Sequence, residues 1–487
     1  MSHTENELGT EKVGKLLFKL AVPAITAQLI NMLYNLVDRI YIGHIPEVGA
    51  TALTGVGVTL SIIMLITAFS TLVGMGGAPQ AAIKMGEGDN ERAEKILGNC
   101  TSLLILISIT LTAFFSIFKN PILLAFGASE ITLPYASDYI SIYLIGTIAV
   151  QISLGLNAFI TCQGYAKTSM LTVLIGAVLN IIFDPIFIFG LNLEVKGAAL
   201  ATILSQAVSA IWVIRFLNSN KSQLRIRKKN LKIEPRVILP VVALGVSPFI
   251  MTSTEAAISV CFNTSLLKYG GDLAVGAMTI LASMMQLVML PIQGLSQGAQ
   301  PIISFNFGAR KIDRVKQAFK LLLICCLGYT FVFTLCVQCF PEVFVSLFSN
   351  SAELTEITVW TIRIYMAATA IFGIQIACQQ TFVATGQAII SLFLACLRKI
   401  ILLIPLIFIL PNFFENKVFA VFLAEPVSDF IAVTVTGILF LLNFNKVLNK
   451  KAKEVALAFW ASTISTPNSV LWLEYLEQST ISPVKTI

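Results

Sequence analysis

Apolar and polar positions along the chain group into twelve stretches that are apolar on every face. They lie near residues 14–43, 50–77, 93–118, 134–160, 165–191, 197–217, 237–268, 272–300, 313–340, 355–380, 386–411 and 417–443. A helix needs about 20 apolar residues to cross the hydrocarbon of a bilayer, and each stretch reaches that length. Strands of a membrane barrel would alternate apolar and polar residues, so these stretches read as helices. We number them spans 1 to 12. The pattern predicts an all-α polytopic membrane protein.

A basic segment, NSNKSQLRIRKKNLKIEPR, separates the spans six and six. The halves align on each other at an offset of 222: Gly76 meets Gly298, Pro79 meets Pro301, Gly86 meets Gly308, Arg92 meets Arg314 and Gly164 meets Gly386. Pro23 and Pro248 correspond at an offset of 225. Each half has an even number of spans, so both enter the membrane from one side and the repeat is parallel. The expected organisation is an N-terminal segment over 1–13, a six-helix lobe over 14–217 and a basic linker over 218–236. A second six-helix lobe follows over 237–443, then a tail over 444–487. Two facing lobes suggest rocking transport around a central cavity.

Composition agrees with the pattern. Apolar residues make up 56% of the 487 and charged residues only 12%. A soluble domain carries about 25% charge, so a water-facing surface of this size is excluded. Disorder and disulfide scaffolds are excluded as well. With both termini cytoplasmic, the inner segments hold twenty-four Lys and Arg and the outer segments hold four: Lys119, Lys196, Lys268 and Lys417. That asymmetry orients a multi-pass protein of the cell membrane and does not suggest nucleic-acid binding. The nine cysteines lie in apolar stretches and the two histidines are His3 and His44, which argues against a metal centre. No catalytic constellation is expected, and no enzyme.

Ionisable groups inside a membrane are functional candidates by default. Asp38 lies roughly 9 Å below the outer end of span 1, Asp184 about 10 Å below that of span 5 and Thr202 about 9 Å below that of span 6. Asn180 sits one turn from Asp184 on the same face. Proline cannot donate its own helix bond and clashes with the preceding turn, so Pro185 should kink span 5. Pro23 and Pro248 are kink candidates in spans 1 and 7. Two carboxylates at one dry level repel, so the pair is expected to hold a proton or a cation such as Na⁺ between them. The second lobe carries Glu255 on span 7, with Glu425 and Asp429 one turn apart on span 12. These are candidates for cation or substrate binding, but Arg363, Arg398 and Lys399 share the lobe and could pair with them.

Several segments resemble the multidrug and toxic compound extrusion (MATE) family, bacterial type. They are AVPAITAQLINMLYNLVDRIYIGH, GMGGAPQAAIKMGEGDNERAEKILGN, NIIFDPIFIFGLNLEVKGAALATILSQ, GLSQGAQPIISFNFGARKIDRVKQA and QQTFVATGQAIIS. The resemblance implies a V-shaped pair of six-helix lobes that exports cationic, often aromatic drugs in exchange for H⁺ or Na⁺, with no cofactor. It implies a cation site at Asp38, Asp184, Asn180 and Thr202, and a role for Glu255 as in some members. Those members also use an acid on span 10, where this chain offers Gln375, Gln379 and Gln380. That departure favours proton coupling through the N-terminal lobe. The expected partners are small-molecule cations and the bilayer, with a monomer sufficing. The alternative is a lipid-linked precursor flippase or polysaccharide exporter of the same superfamily.

Overall fold

The computed structural model describes residues 7–348 and 351–464, with side chains to residue 449. Among the described residues every regular element is helical. Span 1 is Val13–Gly43, span 2 Gly49–Gly86, span 3 Asn90–Ala125, span 6 Glu194–Leu217 and span 9 Ile312–Cys339. Spans 7 and 8 form one run, Pro235–Gly308, of 74 residues. A straight helix of that length would extend about 110 Å, several bilayer cores. It divides at Gly271, whose φ of 64° and ψ of −161° are not helical. With that division the described residues hold twelve spans in two six-helix lobes.

Two spans are broken where no apolar periodicity marks a break. Span 4 consists of Leu133–Ile145 and Thr147–Cys162, bent by 60°; span 10 consists of Ala352–Tyr365 and Thr369–Ala384, bent by 47°. The breaks fall at Gly146 and near Ala368, which are 222 positions apart. Other backbone features repeat at the same interval. Gly164 and Gly386 have φ of 91° and 76°, and Gly88 and Arg310 have φ of 81° and 63°. The repeat is therefore structural as well as sequential.

Glycines bring the two halves together. A Cβ on Gly86 would lie 2.0 Å from the carbonyl oxygen of Phe305, and one on Gly308 would lie 2.0 Å from that of Ile83. Positions 83 and 305 are themselves repeat partners, so spans 2 and 8 cross reciprocally at their basic ends. Higher up, Gly245 of span 7 meets the Leu72 carbonyl and Gly298 of span 8 meets the backbone of Ala21. Small residues that let helix backbones touch are a usual means of packing in a bilayer, where apolar burial drives little association. Gly74, Gly76, Gly77 and Gly86 are packing residues.

Two of the three expected kink prolines do not end the helices that contain them. Pro23 and Pro248 lie inside Val13–Gly43 and Pro235–Gly308. Span 5 runs Ala166–Pro185 and passes directly into a π turn, Ile186–Gly190, closed by the Leu191 amide on the Ile186 carbonyl at 2.8 Å. The donor missing at Pro185 is accommodated by widening the following turn. Span 11 does the same in reverse: Ala388–Cys396 is followed by the π turn Leu397–Leu403 and then by Pro405 within Ile404–Ile409.

The linker is fastened to the first lobe. Glu94 accepts from Arg227 and from the Arg225 amide, Asn99 donates to the Asn230 carbonyl and accepts from the Glu234 amide, and Ser102 donates to the Leu231 carbonyl. Gln163 accepts from Ser222 and from the amides of Gln223 and Leu224. The N-terminal segment Glu7–Thr10 bridges both halves. Leu8 is buried and lies 3.5 Å from the Cβ position of Gly164, while its carbonyl accepts from Asn306 and Arg314.

Span 12 opens the helix Lys417–Ile464, which carries on past residue 443. Two compact units divide the chain, Met1–Gly437 and Ile438–Ile487. In the second, Phe440 and Phe444 stack at 4.4 Å. The rest of the expected tail, 465–487, and residues 1–6 lie outside the described residues.

Candidate functional site

Span 1 carries Asp38 on the face turned to span 5, while Arg39, the next residue, is exposed. Successive helical residues point about 100° apart, which separates the two. Asp184 comes from the last α turn of span 5, just before the π turn, and is fully buried. The carboxyl groups of Asp38 and Asp184 stand within hydrogen-bonding reach of each other. Asn180 donates its amide to Asp184 Oδ1 at 3.0 Å. Thr202 of span 6 lies beside Tyr139 of span 4, whose buried ring lines the same site. Spans 1, 5 and 6 supply the residues expected here, and span 4 adds Tyr139.

Three acceptors there are enclosed: Asp38 Oδ1, Asp184 Oδ2 and Asn180 Oδ1, none with a hydrogen-bond partner among the described residues. Buried polar atoms are rarely left unpaired, and acceptors alone call for a donor or a positive charge. Carboxylates facing each other require the same thing, because both cannot stay ionised and bare in a dry lobe. A proton shared by the two acids would fill the need. So would a cation such as Na⁺ coordinated by the three oxygens, which is the donor chemistry that hard cations take.

Acids of the second lobe are engaged by bases. Arg398 donates Nε to Asp429 at 2.6 Å and Nη2 to Glu425 at 3.0 Å, and stacks on Phe372 at 4.5 Å. Lys399 pairs with Glu255 and donates to the Met251 carbonyl at 3.2 Å. Arg398 and Lys399 are adjacent on the π turn Leu397–Leu403, and they reach different helices, span 12 and span 7. Arg363 is exposed and stands apart from this cluster. Gln379 donates to Ser247 and Met251, and Ser247 bonds Ser391 at 2.7 Å.

Sequence reasoning places Asp38, Asp184 and Thr202 at one level, with Asn180 one turn from Asp184, and leaves the partners of Arg398 and Lys399 open. It missed Tyr139 as a neighbour of the acids. The signal was available, since Tyr139 and Tyr143 are i,i+4 in span 4 and stack at 6.3 Å. It also missed Gln163, which holds the linker, and nothing in the local pattern distinguishes that glutamine.

The MatE family model matches residues 23–186 and again residues 248–409. The chain belongs to the MATE family. The two matches begin at Pro23 and Pro248, so each lobe carries one copy. Among curated relatives, the multidrug export protein MepA of Staphylococcus haemolyticus is 25% identical over 426 residues, 86% of this chain and 92% of that protein. MepA of Staphylococcus aureus is 26% identical over 440 residues, 88% of this chain and 94% of the relative. A crystal structure of MATE in the bent conformation superposes with a TM-score of 0.85 at 19% identity, covering 93% of this chain and all of that one. Its likeness is one of fold. As a MATE-family member the chain is a multi-pass membrane transporter.

Proposed function

We propose that the protein is a secondary multidrug exporter that releases organic cations in exchange for protons or sodium ions. The observation that carries this reading is the facing pair Asp38 and Asp184, with enclosed oxygens that call for a proton or cation and with Asn180 donating to Asp184 from one turn away. One ion entering there neutralises the charge that would hold a cationic drug, so ion and drug compete for the lobe. Multidrug export by the MepA relatives supports a drug cargo. The excess of lysine and arginine in the segments of one side supports cytoplasmic termini in a cell-membrane protein.

The rival, a flippase for phosphate-bearing lipids, would want unpaired cations facing its cargo. Arg398 and Lys399 are each neutralised by acids, which favours cationic cargo.

Everted vesicles carrying the protein should take up ethidium when a pH gradient or a sodium gradient is imposed, and the effective gradient names the coupling ion. Asp38→Asn should reach the membrane in normal amount and lose export. Unimpaired export by that variant would refute the mechanism.

A further inference from the structure

The segments that lead into span 1 and span 7 are held in one register. Leu8 and Gly9 stand 222 positions before Asn230 and Leu231, the interval of the repeat. In the linker, the Asn230 carbonyl accepts from Asn99 at 3.1 Å and the Leu231 carbonyl from Ser102 at 2.6 Å, both donors on span 3. In the N-terminal segment, the Leu8 carbonyl accepts from Asn306 at 2.8 Å and from Arg314 at 3.1 Å. The Gly9 carbonyl accepts from Lys311 at 2.8 Å and that of Glu11 from Arg314 at 2.7 Å, at the junction of spans 8 and 9. Each leading segment is thus clamped by the half it does not enter. Leu8 and Gly9 are buried, and the Cβ position of Gly9 lies 3.0 Å from the Phe305 ring, so the segment is seated in that junction.

The two clamps respond differently when the lobes part. The linker continues into span 7, so its bonds to span 3 can persist while the second lobe turns. The N-terminal segment continues into span 1 of the first lobe, which starts at Val13, two residues past Glu11. Two residues reach only about 7 Å when fully extended. Its bonds to Asn306, Lys311 and Arg314 therefore cross the seam where Gly86 and Gly308 bring spans 2 and 8 into backbone contact. Separation of that seam must break them, and two of the three donors are charged, the stronger kind. We propose that residues 7–11 are a latch on the gate at the basic ends. Seated, they hold the gate shut, and opening there requires the three donors to release them in every transport cycle. This rests on the reading that the protein is an exporter with rocking lobes.

The test uses the full-length protein in lipid nanodiscs, with spin labels at Asn90→Cys and Asp313→Cys, exposed positions at the basic ends of spans 3 and 9. The cysteines that are not buried, Cys261, Cys325, Cys336, Cys339 and Cys396, are replaced by alanine. Lys311→Met should raise the long-distance population relative to the short one about tenfold, the worth of one charge-assisted hydrogen bond. Lys311→Arg, which keeps a charged donor, should change it little. Arg314→Gln should act like Lys311→Met and more strongly; if it fails to fold, Lys311→Met is read alone. Ser102→Ala, which frees a linker carbonyl, should leave the distances as they are. In a second measurement, Gly9→Cys and Phe305→Cys are joined by a short bifunctional thiol reagent. Tethering should stop ethidium uptake by everted vesicles, reduction should restore it, and ethidium binding in detergent should persist throughout. Unchanged distances in Lys311→Met, or undiminished uptake by the tethered protein, would overturn the latch and leave the exporter reading standing. Absence of uptake by the untethered protein under either gradient would overturn the exporter reading instead, and the distances, which need no cargo, would still decide the latch.

Discussion

Arg398 shows what a single buried side chain holds in place. Its guanidinium is the shared partner of two carboxylates on span 12, and its own carbonyl accepts from Ser428 at 2.9 Å. Removing one member of a buried ionic cluster leaves the others uncompensated, whereas replacing the whole cluster by neutral groups can cost little. Arg398→Met should therefore lower stability by about 3–5 kcal/mol. Combining it with Glu425→Gln and Asp429→Asn should restore most of the loss, as thermal unfolding in detergent would show. The acids of both lobes were legible in the sequence because charge stands out against an apolar span. Their partners were not, because pairing depends on which way each turn of helix faces. The π turn that lets Arg398 and Lys399 reach separate helices has no signature beyond the nearby Pro405. Asp38, Asp184 and Asn180 could be brought together from depth and spacing alone, since 1.5 Å per residue fixes level and an interval of four fixes face.

At the scale of helices, glycines decide how close two elements come and where one may turn. A methyl group at Gly308 would meet the Ile83 carbonyl at 2.0 Å, and backbone cannot give way as a flexible side chain can. Gly308→Ala and Gly86→Ala should each destabilise by about 1–3 kcal/mol through overpacking. The double variant should cost less than the sum, because both act on one crossing. Gly271 poses the opposite case: its surroundings are open, so the penalty of Gly271→Ala is one of backbone conformation alone, about 1–3 kcal/mol. Unfolding midpoints of the three variants separate the two causes. All twelve spans could be counted from their apolar lengths. The bend in span 4 has Gly146 at its vertex, but its counterpart near Ala368 sits among Met and Ala and is set by packing against neighbouring helices, which local sequence does not encode.

For the molecule as a whole, the N-terminal segment straps the lobes at their basic ends. Arg314 and Lys311 of one half hold the carbonyls of Leu8, Gly9 and Glu11, and the Leu8 side chain rests by Gly164 of the other. Deleting residues 1–11 should lower the melting temperature and raise maleimide labelling of Cys162, which is buried two residues before Gly164. Lys15 bonds Glu11 at 2.9 Å and holds its carboxyl below the usual carboxylate range. That pair is therefore complete at neutral pH and is lost only as pH falls through the lowered value, so strap behaviour should not change between pH 6 and 8.

The fastening of residues 222–234 to span 3 and to Gln163 has a mechanical meaning. What connects the two halves is a pivot and not a leash: hardly any free chain remains between the Glu234 amide, bound to Asn99, and Pro235, where the next helix starts. Movement of the second lobe must radiate from that fixed point, and the covalent crossing itself takes up almost none of it. A nick beyond the anchored stretch would let the halves drift, whereas one before Ser222 would leave the joint intact.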